Sequence, residues 1–471
     1  MMATPLATAT LVLAVVLIEA GSGTAADPLA LHAENPRYFR FRGQPEFLIT
    51  SGEHYGALMN RDFKFRPYLD ELKARQFNLT RLFSGTYHEV PGSFQIRANT
   101  LAPVPTAYVA PWTKTKEPGA ADGGNKFDLA MWETAYFDRL NDFVSAASER
   151  GIVVEFVLFC PFYDDNLWEV SPMNARNNVN HVGVMPRTEV YTLKHPSMMA
   201  IHQALVRKLV TELHRFDNLY YEICNEPYFG GVTLDWQARI AAVVVETETK
   251  LGGPKHLIAQ NIANGRSKIQ NPDPAVSLFN FHYATPPDVI ALNATLNKAI
   301  GDDETGFLGT ADRVYRSEAW EFLLAGGSTF SNLDYSFTVA HPDGSGAVEH
   351  PTPGGGGPSL RKQLSILRGF LAGFDFVHMV PDPSVIKRGV PEKSRAQVLA
   401  LRGQAYAVYL NSGTKTNLVL DLPAGRYRAV WLNPRTGAVD SSEDIDHTGG
   451  EVTLRSPDYD EDIALKIVRS S

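Results

Sequence analysis

Between residues 37 and 375, short apolar runs rich in β-branched and aromatic residues alternate with longer stretches in which apolar residues recur every three to four positions. The runs cover 47–50, 77–83, 152–159, 219–224, 256–260, 276–281, 299–303 and 328–332, eight in all. Unbroken apolar strands flanked by amphipathic helices are the pattern of a parallel sheet buried on both faces. Leu205, Leu209 and Leu213 mark one helix face, and the helical pattern over 132–150 stops at Gly151. Seven of the eight runs are followed by a helical pattern, and the eighth, after a long loop, by 359–372 with Ser359 placed as its cap. Eight strand–helix units predict an α/β fold, a (β/α)8 TIM barrel within 27–385. A doubly wound open sheet is the rival, but no glycine-rich phosphate turn follows the first strand.

Past Pro381 the period changes to two. Leu418, Leu420 and Leu422, then Tyr427, Ala429 and Trp431, then Ile463, Leu465 and Ile467 alternate with residues of the other face, with turn clusters at 422–425 and 433–437 between them. Alternation without intervening helices predicts a small C-terminal antiparallel β-sandwich over 390–471, each strand with one buried face. The glycine-rich stretch 352–358 has few side chains to pack and is expected to be a flexible part of the loop after the eighth strand.

The apolar run 11–18, followed by small residues up to Ala26, reads as a secretory signal over 1–26, although no Lys or Arg precedes it. It is too short for a membrane span, so the expectation is an exported protein with no membrane insertion after signal removal. Of 471 residues, 44% are apolar and 20% charged, as in ordinary globular proteins, and the net charge of -8 gives no footprint for nucleic acid or an anionic membrane. Two cysteines, Cys160 and Cys224, allow one bridge or two buried thiols. The histidines are dispersed, without a His-Glu-x-x-His spacing, and neither a metal nor an organic cofactor is expected.

In a barrel of this type the chemistry sits at the carboxyl ends of the strands. The fourth run ends in Tyr220-Tyr221-Glu222-Ile223-Cys224-Asn225-Glu226-Pro227, and the seventh in Asp302-Asp303-Glu304-Thr305-Gly306. Two strand ends can place one carboxyl group on each side of a glycosidic bond, as glycoside hydrolysis requires.

These elements resemble the retaining glycoside hydrolases that carry two glutamates on the fourth and seventh strands of a (β/α)8 barrel, nearest to the cellulase-like family 5. The resemblance implies Glu226 as acid/base, Glu304 as nucleophile, Asn225 as a contact to the substrate 2-hydroxyl, Arg81 as the cation beside the nucleophile, and His282 and Tyr283 as the sixth-strand pair near it. His282 and Tyr283 read equally as packed strand-end residues, and Glu222 reads first as a partner of Arg81 or another cation. Glu53 and His54 end the first strand in an uncommon form. The third strand lacks the usual histidine, and Tyr335 stands near the place of a tryptophan platform. Together with Trp168, Glu53, His54 and Tyr335 complete the substrate-binding candidates, with Trp112, Tyr163 and Tyr228 as further rings on predicted loops and Trp320 as core. The C-terminal segment resembles the small domain labelled collagen-binding that follows many such barrels. The implied activity is hydrolysis of a carbohydrate substrate by double displacement; a non-catalytic carbohydrate-binding or adhesin-type protein is the alternative.

Overall fold

All eight predicted runs form strands of one parallel sheet in the computed structural model, which describes residues 27–470; the predicted signal segment lies outside the described residues. The strands are β1 (Leu48–Gly52), β2 (Leu79–Phe83), β3 (Val153–Val157), β4 (Leu219–Glu222), β5 (Ile258–Asn264), β6 (Leu278–His282), β7 (Ala299–Thr305) and β8 (Thr329–Leu333). They pair in the order β1-β8-β7-β6-β5-β4-β3-β2. The ring closes between β1 and β2 largely through one side chain: Asn78 Oδ1 accepts from the Ile49 amide at 2.9 Å and its Nδ2 donates to the Phe47 carbonyl at 2.8 Å. Below the ring, Leu29 and, from a small antiparallel sheet, Phe39 and Phe41 pack on Leu48, Leu79, Val153, Leu278 and Ala299, which plugs the amino-terminal end with apolar surface.

Outside the ring run α1 (Phe65–Ala74), α2 (Thr134–Glu149), α3 (Asp165–Val170), α4 (Pro196–Leu213), α5 (Leu234–Leu251), α6 (Asp288–Leu292), α7 (Asp312–Leu324) and α8 (Pro358–Ala372). Leu205, Leu209 and Leu213 are fully buried on α4, as their spacing predicted. Three expectations change. No helix joins β5 to β6, because Gly265 and Asn271 take left-handed conformations and Pro272 and Pro274 interrupt any helical ladder. Ser359 does not cap α8: Gly357 holds that place ahead of Pro358, and the Ser359 hydroxyl donates to Asp312 at 2.6 Å. The glycine-rich stretch is packed. A Cβ on Gly354 would meet the Gly306 carbonyl, and one on Gly356 would meet the Asp334 carboxylate, so these glycines let the stretch pack directly on the ends of β7 and β8.

The C-terminal strands are β9 (Val380–Pro381), β10 (Ile386–Arg388), β11 (Ala396–Leu401), β12 (Ala405–Leu410), β13 (Asn417–Leu422), β14 (Gly425–Leu432), β15 (Val439–His447), β16 (Gly450–Arg455) and β17 (Ile463–Arg469). They form a six-stranded sheet, β9-β11-β12-β17-β14-β15, against a three-stranded sheet, β10-β13-β16. Pairing thus begins at Val380, ahead of the expected start at 390. Ile463, Leu465 and Ile467 enter the sandwich core as predicted, but the reverse face is buried too. There Ala407, Tyr409 and Ala464 join the barrel core, with Tyr409 stacked on Trp320 of α7 at 5.2 Å. Arg316 of α7 pairs with Asp462 at 2.8 Å across the same contact.

Candidate active site

The carboxyl ends of the strands surround a cavity of about 590 Å³ in which Glu226 and Glu304 face each other. One oxygen of each, together with a ring nitrogen of His282, lies within 4.8 Å of the other two. The two carboxyl groups thus approach each other across one cavity, with His282 beneath them.

Glu304 reaches the cavity because β7 is irregular. Phe281 of β6 pairs with Asp302 and His282 with Glu304, so Asp303 is an extra residue, and both Asp303 and Glu304 turn to the barrel interior. Glu304 Oε1 accepts from Tyr283 Oη at 2.7 Å. Its Oε2 accepts from Tyr55 Oη at 3.1 Å and from Arg81 Nη1 at 3.3 Å. Glu226 Oε2 accepts from Tyr163 Oη at 2.6 Å, and Oε1 from Tyr228 Oη at 3.2 Å. His282 Nδ1 lies between the pair, 3.2 Å from Glu226 and 3.5 Å from Glu304. Tyr55, Glu226 and Tyr283 all have left-handed backbones, with φ of 63°, 38° and 53°. Such conformations are uncommon for these residue types and collect where packing must aim a functional group.

Burial alone would push the Glu226 carboxyl up, but the contacts from His282, Tyr163 and Tyr228 outweigh it and hold this carboxyl below its ordinary range. A carboxylate as close as Glu304 would by itself favour the reverse, a proton retained on Glu226. Three groups bonding the charged form explain the difference.

Beneath the cavity lies a fully buried cluster. Arg81 places Nη2 2.7 Å from Glu222 and 3.2 Å from Asp303, and Nε 3.3 Å from Glu155. Asn280 Nδ2 lies 2.6, 2.9 and 2.7 Å from oxygens of Glu155, Glu222 and Asp303, which share its two hydrogens. One cation cannot balance three carboxylates. Burial, only partly opposed by Arg81 and reinforced by Glu222, raises Glu155 from 4.5 to about 8, and burial raises Asp303 as well. A carboxyl raised on folding contributes stability that is complete below its unfolded value and is lost as pH rises through the folded one. The unfolding free energy should therefore fall between pH 5 and 8, and Glu155→Gln should fall less steeply; equal slopes in urea titrations of the two proteins would exclude this assignment.

Asn225 extends from the same network, with Oδ1 accepting from Arg81 at 3.1 Å and Nδ2 donating to Tyr163 Oη at 2.9 Å. Of the substrate-binding candidates, His54, Asn225 and Tyr283 line the cavity, whereas Arg81 and His282 are buried beneath the two glutamates and Glu53, Trp168 and Tyr335 point elsewhere. Glu53 is buried and accepts the amides of Gly56 and Ala57 at 3.0 Å each, so it ties its own loop. Trp168 is buried on α3 and donates its ring N–H to the Met185 carbonyl at 3.1 Å. Tyr335 is buried behind His54 and Phe307. Trp112 is buried as well, and Cys160 and Cys224 are free buried thiols pushed up by burial. The rings that do reach the cavity are Tyr55, Phe83, Tyr87, Phe94, Tyr163, Phe229, Tyr283 and Phe307. Phe94 spans the top, meeting Tyr163 edge to face at 5.3 Å and Phe307 at 6.5 Å.

Three clusters could each offer a cation several ligands: Glu226, His282 and Glu304; Glu155, Glu222 and Asp303; and His214, Glu248 and His256. Arg81 already supplies the positive charge to the second and stands beside Glu304 of the first, while His256 and Glu248 are hydrogen-bonded to each other at 2.6 Å. Among the described residues no helix is long and apolar enough to cross a membrane.

By sequence, no protein of curated function matches the chain. Residues 380–466 match the family described as "Putative collagen-binding domain of a collagenase". Three solved structures are similar in fold. A "putative glycoside hydrolase" from Bacteroides vulgatus ATCC 8482 is 14% identical with a TM-score of 0.66, over 94% of this chain and 83% of that one. A structure described as "Glycoside hydrolase" is 16% identical with a TM-score of 0.64, over 94% and 97%. A family 5 glycoside hydrolase from Bacteroides vulgatus ATCC 8482 is 16% identical with a TM-score of 0.63, over 94% of each chain. The chain thus has the fold of these glycoside hydrolases, an eight-stranded parallel barrel with a β-rich C-terminal domain that matches the collagen-binding family.

Proposed function

We propose that this protein is an exported retaining glycoside hydrolase acting on a poly- or oligosaccharide. The observation that carries the reading is the approach of Glu226 and Glu304 within 4.8 Å across an aromatic cavity, each held by its own set of donors. In the first step ionised Glu304 attacks the anomeric carbon while protonated Glu226 gives its proton to the leaving oxygen, so the glycosidic bond breaks as the ester to Glu304 forms. In the second, Glu226 takes a proton from water, the water oxygen attacks the anomeric carbon, and Glu304 departs as carboxylate. Export rests on the apolar N-terminal run alone. A screen of residues 27–471 against a glycan panel, with the anomeric configuration of the product followed by NMR, tests the reading. Release of sugar with retained configuration is expected. Inversion would remove the double displacement, and binding without cleavage would favour a carbohydrate-binding protein.

The donors around Glu226 bear on pH. A carboxyl held low is protonated only on the acid side, so kcat/KM should be greatest below neutrality and decline as Glu226 ionises. Tyr163→Phe removes a bond to the charged form, so the descending limb of the profile should move to higher pH. A limb that stays in place would show that Tyr163 does not tune Glu226.

A further inference from the structure

His282 is fully buried beneath Glu226 and Glu304, and what faces each ring nitrogen decides which of the two carries the hydrogen. Nδ1 lies 3.2 Å from Glu226 Oε1 and 3.5 Å from Glu304 Oε1. An ionised carboxylate only accepts, so with Glu304 ready to attack this nitrogen must donate. On the other side Nε2 lies 2.5 Å from Asn261 Nδ2. An amide nitrogen only donates, so Nε2 must offer its lone pair. The remaining charged group at the ring is Asp303, whose Oδ1 lies 3.4 Å from Nε2; burial favours its protonated form, and a neutral carboxyl draws no hydrogen onto that nitrogen. Asn261 is itself 1% exposed, on β5 just ahead of Ile262, an extra residue in the pairing with β6.

A hydrogen on Nδ1 decides where the Glu226 proton can go. While Glu226 is ionised, Nδ1–H bonds to it; once Glu226 is protonated, Nδ1 has no lone pair with which to take the proton. Tyr163 is fixed in the same sense, since its Oη accepts from Asn225 Nδ2 at 2.9 Å and donates to Glu226 at 2.6 Å. The acid proton is thus left for an oxygen in the cavity. With the other tautomer, a bare Nδ1 would compete for that proton, as a base about two pH units stronger than a carboxylate.

We propose that Asn261 is a positioning residue: its amide N–H keeps Nε2 of His282 bare, which fixes the ring hydrogen on Nδ1 and directs the Glu226 proton to the leaving oxygen. The delivery of that proton rests on the glycosidase reading, whereas the position of the ring hydrogen is measured without any substrate. In the parent protein, isotopically labelled in its histidine nitrogens and compared with His282→Gln to identify the signal, NMR near neutral pH is expected to show Nδ1 protonated and Nε2 bare. Both nitrogens protonated, or Nε2 alone, would overturn the inference and leave the glycosidase reading intact. Asn261→Asp puts an acceptor in place of the donor, so Nε2 should gain a hydrogen. For the unactivated glycoside selected by the panel, kcat/KM should then fall on the order of 100-fold, within what a general acid supplies. The burst of phenol from an activated aryl glycoside, which departs without protonation, should keep its rate. Equal losses on both substrates would make Asn261 a structural residue, and an unchanged His282 signal in Asn261→Asp would show that Asn261 does not set the tautomer; either result overturns the inference. No cleavage of any glycoside by the parent would end the glycosidase reading, and the proton-directing role with it.

Discussion

Glu304→Gln is expected to lower turnover of every glycoside by at least ~10⁴-fold, about 5 kcal/mol of transition-state stabilisation, because no covalent intermediate can form without its carboxylate. The amide keeps the size of the side chain and can still meet Tyr283, Tyr55 and Arg81, so folding should be little affected and the loss is chemical. Glu226→Ala should behave differently. A leaving group that departs without protonation still transfers the sugar to Glu304, so an activated aryl glycoside should release a burst of phenol while natural substrates barely react. Azide should then restore turnover, since a small anion needs no general base to attack the intermediate. Azide rescue of the Glu304 variant with inverted product is also compatible, because the anion fills the emptied site. The assignment fails if the Glu304 variant still labels covalently with a fluorinated glycoside while Glu226→Ala does not.

The strands that carry these residues were legible because each is a contiguous apolar run, and the order of runs fixes the order of strand ends. Asn225-Glu226-Pro227 and Glu304 could be placed on that basis. What was not legible depends on contacts between distant strands. Glu155 and Asn280 sit within apolar runs, where a lone polar residue signals a buried partner, yet only the closed ring shows that Asn280 meets Glu155, Glu222 and Asp303 and that Glu155 pairs with Arg81. Tyr55 and Tyr163 follow the same logic: a tyrosine on a loop reads as a stacking ring, and its hydroxyl contact to Glu304 or Glu226 depends on the local backbone turn. Trp168 and Tyr335 show the converse, since both lie on the correct loops but turn inward. The low-lying Glu226 carboxyl was not legible either, because the contacts from His282, Tyr163 and Tyr228 that hold it low come from three separate strand ends and loops.

Arg81 sets the second large effect. Its guanidinium is fully buried and within 3.3 Å of oxygens from Glu155, Glu222, Asp303 and Glu304, with Tyr55 over its face at 4.8 Å. Removing one partner of a buried ion pair leaves uncompensated charge and costs about 3–5 kcal/mol, so Arg81→Met should destabilise the fold by roughly that amount at neutral pH. Arg81→Lys should recover only part, because a point charge cannot hold the planar fork of contacts made here. The pH dependence gives the sharper signature. Without the cation, the buried carboxylates that face it are left unpaired, a cost that acid relieves. Stability recovered in this way is complete below pH 4 and is lost as pH rises, so the gap between parent and Arg81→Met should narrow on acidification and widen towards pH 8. Catalysis should fall with it, since Glu304 loses the guanidinium that holds its carboxylate towards the cavity. Urea titrations at pH 5 and 8, read beside kcat at the same pH values, distinguish this from simple loss of packing, which would destabilise both equally.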